Sequence, residues 1–212
     1  MSERELIAMG RELADLGYCP GGTGNVSWRD QDDVVITRSG VDLYKLAAHD
    51  LVRCKVDWST RRVREVAPGA SKELPLHLAM HARVPDQQGF VGHVHSASGV
   101  SVSCLPAFSG KTAIPPLTPY FVMKVGEVPL IKYAVPGSQP QADAMFASES
   151  AAHTMLLQNH GLVSWAIRTE QLIDRIRESE LTAATWLQLR AFENVNLLSE
   201  NEQAELRNAY PQ

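Results

Sequence analysis

Histidines with the spacing of metal ligands are the residues of this chain that most clearly predict chemistry. His93 and His95 are two positions apart, and residues two apart in an extended strand point to the same face, so both imidazoles can reach one ion. The following Ser-Ala-Ser-Gly is typical of a helix start, which places His95 at a strand-to-helix corner. Two polar residues at a strand end can also be purely structural, so the pair alone leaves both interpretations open.

Two residues elsewhere could complete a ligand set. His160 follows an apolar strand and precedes Gly161, which would let the backbone bend tightly behind the imidazole. Glu73 could be a fourth ligand or a proton acceptor, although a glutamate in a first helical turn is also an ordinary electrostatic cap. Imidazoles and a carboxylate suit zinc or a similar divalent cation. These residues therefore predict a metal-dependent enzyme.

A second pattern consists of glycine and serine turns that could bind an anion. Residues 20–25 form a glycine-rich loop, Pro-Gly-Gly-Thr-Gly-Asn, without the Lys-Ser/Thr end of a P-loop or the spacing of a dinucleotide fingerprint. With Ser39-Gly40 and Ser71-Lys72, this loop could supply backbone N–H groups, hydroxyls and one ammonium to a phosphate. The alternative is that all three segments are simply tight turns between short strands.

Composition limits the class of protein. The 212 residues are 44% hydrophobic, enough to bury a sizeable core, and we expect one domain over residues 1–212. The net charge is -4 with scattered basic residues, so we expect no nucleic-acid partner. No apolar run approaches the roughly 20 residues of a membrane span, and the chain starts charged, so we expect a cytoplasmic protein. Three cysteines without a CxxC pair fit a reducing compartment.

Hydrophobic periodicity and turn residues predict interleaved helices and strands. Helices are predicted over residues 3–16, from Ser71 to a stop at Pro85, and over 96–104, 139–150 and 169–189. Strands are predicted over residues 25–28, 34–37, 51–56, 61–66, 89–94, 128–133, 154–157 and 161–165. This alternation favours a layered α/β fold whose mixed or antiparallel sheet is covered by helices on both faces.

Several stretches of the chain resemble the class II aldolase/adducin-like superfamily. They are Gly-Gly-Thr-Gly-Asn-Val-Ser, Thr-Arg-Ser-Gly, Ala-Ser-Lys-Glu with Leu-His-Leu-Ala-Met, Gly-His-Val-His-Ser and Gln-Asn-His-Gly, within residues 21–161. Residues 71–73, 117–126 and 128–137 look most like the 3-oxo-tetronate 4-phosphate decarboxylase branch. The resemblance implies a three-layer α/β/α fold with a central, mostly antiparallel sheet.

The resemblance also implies a role for each candidate residue. The family's metal-binding histidines fall on His93, His95 and His160, and its acidic ligand, which doubles as proton acceptor, falls on Glu73. Tyr120 is one place from a gap-free match to the tyrosine that serves as proton donor in the aldolases. The phosphate contacts fall on Gly24, Asn25, Ser39, Gly40, Ser71 and Lys72.

The activity implied by the resemblance is that of a metal-dependent carbon–carbon lyase in carbohydrate metabolism. The preferred reaction is decarboxylation of a 3-oxo-tetronate 4-phosphate, and the alternatives are ketose 1-phosphate aldolase, sugar-phosphate epimerase or dehydratase, and a non-catalytic adducin-like interaction module. One divalent ion per subunit, with Zn²⁺ preferred, and a homotetramer are also implied. C-terminal residues of one chain would then cover the metal of its neighbour. For Glu73 to move a proton, apolar surroundings should raise its pKa.

Overall fold

One sheet organises the chain. The computed structural model describes residues 2–65, 67–84 and 88–210. Its strands are β1 (Asn25–Asp30), β2 (Asp33–Thr37), β3 (Leu51–Asp57), β4 (Arg62–Glu65), β5 (Gly89–Val94), β6 (Leu130–Ile131), β7 (Thr154–Leu157) and β8 (Gly161–Ala166). They form an eight-stranded sheet in the order β4-β3-β2-β1-β5-β8-β7-β6, antiparallel except between β6 and β7. The predicted mostly antiparallel sheet is confirmed.

Helices cover both faces of the sheet. They are α1 (Glu3–Asp15), α2 (Leu74–Ala82), α3 (Ala97–Ser103), α4 (Pro119–Lys124), α5 (Gln139–Phe146), α6 (Thr169–Leu189) and α7 (Glu200–Ala209). One core joins α1, α3, α4 and α6 to one face, and two smaller clusters join α2 and α5 to the other. In the described part of the chain, no helix is both long and apolar enough to cross a membrane.

The alternation of side chains along β1 and β5 makes one face of the sheet polar where α2 lies. Val26 and Trp28 of β1 and Phe90 of β5 pack into the core beneath α1. Ser27 points the other way and contacts histidines of α2. His93 lies in the same layer, since it is an odd number of residues from Phe90. The sheet therefore presents polar side chains to α2 near the carboxyl end of β5.

The start of α2 differs from the prediction. The helix begins at Leu74, not at Ser71, and Glu73 is its N-cap residue and not part of its first turn. The hydroxyl of Ser71 accepts the backbone N–H of Glu73 at 3.2 Å, which holds the preceding residues in a turn. The helix ends at Ala82, and the predicted stop at Pro85 lies outside the described residues. Glu73 is thus placed at the end of the helix, where its side chain can point away from the helix axis.

The strand predicted over residues 128–133 is reduced to the two residues of β6. The backbone of Val128 is engaged elsewhere, since its N–H donates to Thr112 Oγ1 at 3.0 Å and its carbonyl accepts the N–H of Ala113 at 2.7 Å. Pro129 has no N–H to donate to a ladder. At the opposite edge, β4 lies within the predicted 61–66, and Val66 is outside the described residues.

Helix α5 ends at Phe146, four residues before its predicted end. The guanidinium of Arg83, which follows α2, donates to the carbonyls of Met145 at 3.0 Å and Ser148 at 2.9 Å, and also to that of Ser150. These carbonyls are drawn toward α2 instead of continuing a helical ladder.

Two short helices, α4 and α7, were not predicted. Both have N-cap signals in the sequence: the Thr118 side chain accepts the N–H of Phe121 at 3.1 Å, and Ser199 and Glu202 form a capping box. Helix α4 has only six residues and α7 buries none of its own, so neither gives a strong hydrophobic period.

Candidate metal centre and anion pocket

A carboxylate and three imidazoles meet at one point of the structure. Glu73, His93, His95 and His160 each offer a ligand atom, and these atoms lie within 4.8 Å of one another. His95 Nε2 is 2.9 Å from His93 Nε2, His93 Nε2 is 3.4 Å from Glu73 Oε2, and His160 Nε2 is 3.1 Å from Glu73 Oε1. The structure therefore brings together all four side chains that the sequence singles out as ligands.

Each imidazole is placed by a different element. His93 lies in β5, directly opposite Asn25 of β1 and Val163 of β8. His95 follows the end of β5, and its backbone N–H donates to the Tyr18 carbonyl at 2.9 Å. His160 closes the turn between β7 and β8. Strands that are far apart in sequence thus converge because they are neighbours in the sheet.

The turn that carries His160 corrects one detail of the sequence interpretation. The left-handed residue is Asn159, with φ 58°, so the tight bend does not come from Gly161. A Cβ atom on Gly161 would lie 2.5 Å from the Val94 carbonyl oxygen, so glycine is required there for close approach to β5. This close approach lets His160 reach the imidazoles of β5.

The ring of His93 is fixed in one orientation. Its Nδ1 lies 3.0 Å from the Leu162 carbonyl oxygen, which accepts only, so Nδ1 carries the proton and Nε2 is left with a lone pair. Burial lowers the pKa of His93 to about 3, and it is also the main cause that lowers the pKa of His95. Both rings are neutral at pH 7, which is the form that binds a metal.

Glu73 is the anionic member of the cluster. Burial opposes its ionisation, but His93 and the contacts from His160 and Asn25 outweigh that effect, so its pKa lies below the ordinary value. The expected rise in pKa is therefore wrong: the surroundings of this carboxylate are polar. Its Oε1 is buried without a well-oriented hydrogen bond. Converging imidazole nitrogens beside such an oxygen fit a divalent cation in kind and number.

A cavity of about 420 Å³ opens beside the cluster. Its lining includes every residue predicted to contact phosphate: Gly24, Asn25, Ser39, Gly40, Ser71 and Lys72. It also includes Gly22 and Thr23 of the predicted glycine-rich loop, and two residues that the sequence interpretation missed as site members, Arg38 and Pro136. Arg38 was predictable from its position beside Ser39-Gly40, but its guanidinium donates to the carbonyls of His49 and Pro68.

The polar groups offered to an anion differ in part from those expected. The backbone N–H of Ser39 donates to the Gly69 carbonyl at 2.9 Å, and that of Ser71 donates to the Thr37 carbonyl at 3.1 Å. These two amides are therefore engaged within the protein. The hydroxyls of both serines and the exposed side chain of Lys72 can still donate to a ligand.

Comparison with known proteins identifies the family. The family described as Class II Aldolase and Adducin N-terminal domain matches residues 4–187. The chain belongs to this family. The match includes both the metal cluster and the lining of the cavity.

Relatives with assigned names extend this family match. The 3-oxo-tetronate 4-phosphate decarboxylase of Haemophilus influenzae is 32% identical over 210 residues, which is 98% of this chain and 97% of the relative. The L-fuculose phosphate aldolase of Escherichia coli is 28% identical and covers 94% and 89% of the two chains. These relatives indicate that this class II aldolase family member is a lyase, and the predicted resemblance to the decarboxylase branch is confirmed.

A solved structure agrees in both fold and sequence. The YgbL protein of Klebsiella pneumoniae, described as an aldolase, epimerase or decarboxylase, superposes with a TM-score of 0.84 at 29% identity over 96% of each chain. The predicted three-layer class II aldolase fold is thereby confirmed.

Tyr120 is the one predicted site residue that lies apart from the rest. It is the second residue of α4, its side chain is 63% exposed, and it does not line the cavity beside the metal cluster. Within one chain of this class II aldolase family member, Tyr120 is not placed to donate a proton to a ligand in the cavity. Its catalytic role stays a prediction that requires a second copy of the chain.

Proposed function

We propose that the protein is a metal-dependent decarboxylase of a 3-oxo-tetronate 4-phosphate. The observation that carries this proposal is the convergence of Glu73, His93, His95 and His160 beside a cavity whose lining also includes serine hydroxyls and Lys72. Such a cavity suits a small molecule with an oxygen-rich reacting end and a remote anionic group. Relatives of this name match nearly the whole chain at about 30% identity.

The proposed ligands hold one divalent ion per subunit, with Zn²⁺ preferred because the donors are three imidazoles and one carboxylate. Such an ion would supply Lewis acidity, which stabilises negative charge as it develops on a substrate oxygen. The chain's own contribution is to keep the rings of His93 and His95 neutral, since burial lowers the pKa of both. The Nδ1 proton of His93, held by the Leu162 carbonyl, leaves Nε2 free toward the cluster.

The reaction breaks the bond between the carboxylate carbon and its neighbour. The bonding electrons move toward the 3-oxo oxygen, carbon dioxide leaves as a neutral molecule, and the carbon left behind takes up a proton to give a triose ketose phosphate. Glu73 is ionised because its pKa is lowered, so it can take up a proton from solvent water and deliver it to that carbon, which supplies the one proton that the decarboxylation consumes. Its half-buried position beside the cavity suits this transfer.

Lys72 is proposed to bind the substrate's anionic end. It is exposed, adjoins Glu73 in sequence and lines the cavity. An ammonium favours a carboxylate or phosphate in the bound state, whereas departing carbon dioxide carries no charge, so Lys72 should contribute to binding more than to the chemical step.

The test is a substrate panel in which carbon dioxide and aldehyde are detected separately. With a 3-oxo-tetronate 4-phosphate, carbon dioxide should match the acid consumed, and none should form after treatment with a chelator. Metal analysis of the purified protein should find about one ion per chain. Absence of stoichiometric metal would favour a non-catalytic interaction module.

Ketose 1-phosphate aldolase is the second candidate. The L-fuculose phosphate aldolase relative matches 94% of the chain, and carbon–carbon cleavage in such a reaction also places negative charge on an oxygen beside a carbonyl. If the protein is inert toward the acid yet splits a ketose 1-phosphate into dihydroxyacetone phosphate and an aldehyde, this second function replaces the first.

A homotetramer in the cytoplasm completes the proposal. Exposed aromatic side chains on α4 and near the end of α7, Tyr120 and Tyr210, suit a contact between copies, and the free cysteines suit a reducing compartment. If Tyr120 serves the cavity of a neighbouring copy, mixing Tyr120→Phe with Glu73→Gln chains should restore activity that neither variant has alone. Mixtures no more active than their components would place all catalytic groups in one chain.

A further inference from the structure

A buried ladder of polar side chains lies between β1 and α2, behind the metal cluster. Asn25, Ser27 and Arg29 alternate along β1, and Glu73, His77 and His81 are spaced by four along α2 and the residue preceding it. Two residues of a strand rise about 6.7 Å and four residues of a helix rise about 6 Å. The side chains of the two sets therefore have nearly the same spacing and can face each other. Ser27, His77 and His81 are completely buried.

Hydrogen bonds connect the ladder in a single line. Asn25 Nδ2 donates to Glu73 Oε2 at 2.8 Å, and His77 Nε2 lies 2.5 Å from Asn25 Oδ1. Ser27 Oγ lies 2.7 Å from His77 Nδ1 and 2.9 Å from His81 Nε2. The carboxylate of the metal cluster is thus joined to two fully buried histidines that do not themselves line the cavity.

The chemistry of the groups fixes the direction of every bond. A carboxylate only accepts, so Asn25 must turn its amide nitrogen to Glu73 and its oxygen to His77. That oxygen requires a proton on His77 Nε2. Burial keeps His77 neutral by lowering its pKa to about 4, so its Nδ1 is an acceptor and takes the hydroxyl proton of Ser27. The oxygen of Ser27 then accepts the N–H of His81 Nε2.

The line of hydrogen bonds ends at His81, on the side away from Glu73. His81 Nδ1 is buried and has no hydrogen-bond partner among the described residues. Because this nitrogen reaches neither solvent nor a second donor, the line cannot carry protons between Glu73 and bulk water. The line of hydrogen bonds instead fixes orientation, because each donor points toward Glu73. No side chain in the line can exchange its donor and acceptor atoms without leaving a buried group unpaired.

We propose that His77 is a positioning residue whose Nε2 proton, held in place by Ser27 and His81, orients the Asn25 amide and thereby aims the Glu73 carboxylate at the metal cluster. Asn25 holds Oε2, which leaves Oε1 facing His160. The kinetic consequence rests on the proposed function, whereas the tautomer and the hydrogen bonds belong to the folded chain alone.

Two substitutions separate positioning from mere packing. His77→Gln keeps an N–H donor near the position of Nε2, and His77→Phe keeps a planar ring without a donor. His77→Phe should weaken Zn²⁺ affinity and lower kcat by about ten- to a hundredfold, the usual effect of removing a group that orients a metal ligand, with little change in KM. His77→Gln should recover most of both losses.

The matched control is His153→Gln. This histidine is partly buried, whereas His77 is completely buried, and it packs on Trp165 outside the ladder, so its variant should keep the wild-type Zn²⁺ affinity. Equal losses in His77→Gln and His77→Phe, in parallel with equal losses of thermal stability, would reduce His77 to a packing residue and overturn the proposal.

A measurement on the wild-type protein tests the proposal without requiring that the variants fold. Long-range proton–nitrogen correlations of metal-free protein labelled at histidine should show His77 protonated at Nε2 and not at Nδ1. An Nδ1 proton would overturn the proposal. This result is independent of turnover: failure to release carbon dioxide would reject the proposed reaction while the tautomer still decides the role of His77.

Discussion

Two groups of residues around the pocket, the metal ligands (the metal end) and the residues predicted to contact phosphate (the anion end), are built from different kinds of structure. At the metal end, the side chains of His93, Glu73 and His160 are 0%, 14% and 10% exposed and come from a strand, a helix start and a hairpin. At the anion end, Ser39, Gly40 and Lys72 are exposed and lie in turns.

The two ends differ in how firmly their groups are held before a ligand binds. The metal end is held by the sheet register and by hydrogen bonds behind Glu73, so its groups are already oriented before a ligand arrives. The anion end relies mainly on the exposed Ser39 hydroxyl and the Lys72 ammonium, which adapt to a ligand at low cost. Substitutions at the metal end should therefore lower kcat, and those at the anion end should raise KM.

The largest effect is expected for Glu73→Gln. The amide cannot accept a proton and is a weaker metal ligand, so kcat should fall by about a hundredfold or more while circular dichroism stays unchanged. Glu65→Gln, on the exposed surface of β4, is the matched control and should keep wild-type turnover. A Glu73→Gln variant that retains more than about a tenth of the wild-type rate would show that Glu73 is not the proton acceptor.

The second prediction concerns the response of the metal end to acid. Burial lowers the pKa of His77 to about 4 from 6.5, so the folded chain binds fewer protons than the unfolded chain between these values. Stability should be full above about pH 6.5 and fall as the pH decreases toward about 4, by roughly 3 kcal/mol for this ring, since each pKa unit corresponds to about 1.4 kcal/mol.

Denaturant unfolding of the metal-free protein at several pH values measures this loss. His77→Gln removes the titrating ring, so the pH dependence of this variant should be visibly shallower. A wild-type stability that stays flat from pH 7 to pH 4.5 would contradict the neutral, buried state of His77.

The metal end was also the more predictable end from sequence. His93 and His95 could be paired because strand alternation is a local rule, and the structure indeed brings their Nε2 atoms to 2.9 Å. That Glu73 and His160 join them depends on which strands are neighbours in the sheet. Residue spacing alone does not specify this, and the family resemblance supplied it.

The parts that were missed depend on tertiary contacts. The early end of α5 follows from the guanidinium of Arg83, which binds carbonyls more than 60 positions along the chain. The lowered pKa of Glu73 depends first on His93 and also on His160 and Asn25, all far away in the chain, so the expectation of apolar surroundings gave the wrong direction. The four-residue spacing of His77 and His81 is present in the sequence, but their contact with the predicted strand at residues 25–28 depends on how α2 packs on the sheet.

At the anion end, Lys72→Met should raise KM by about tenfold with kcat nearly unchanged. An ammonium hydrogen-bonded to an anion contributes about 1.5–3 kcal/mol when well formed, and exposure reduces that value. Inorganic phosphate should inhibit the wild type competitively and the variant more weakly. Lys132→Met, also exposed but outside the cavity lining, is the control. A fall in kcat with constant KM would place Lys72 in the chemical step.

The smallest effect is expected for Ser39→Ala. The backbone N–H of Ser39 stays bonded to the Gly69 carbonyl, so the turn should survive and only the exposed hydroxyl is lost. One neutral hydrogen bond contributes about 0.5–1.5 kcal/mol, which corresponds to a two- to tenfold rise in KM.

Ser71→Ala is the informative comparison, because that hydroxyl also accepts the N–H of Glu73 at 3.2 Å and so belongs to both ends of the pocket. Steady-state kinetics should therefore show a change in KM alone for Ser39→Ala and changes in both KM and kcat for Ser71→Ala. Equal kcat losses in the two variants would mean that the anion end takes part in the chemical step, and that the two ends are not functionally separate.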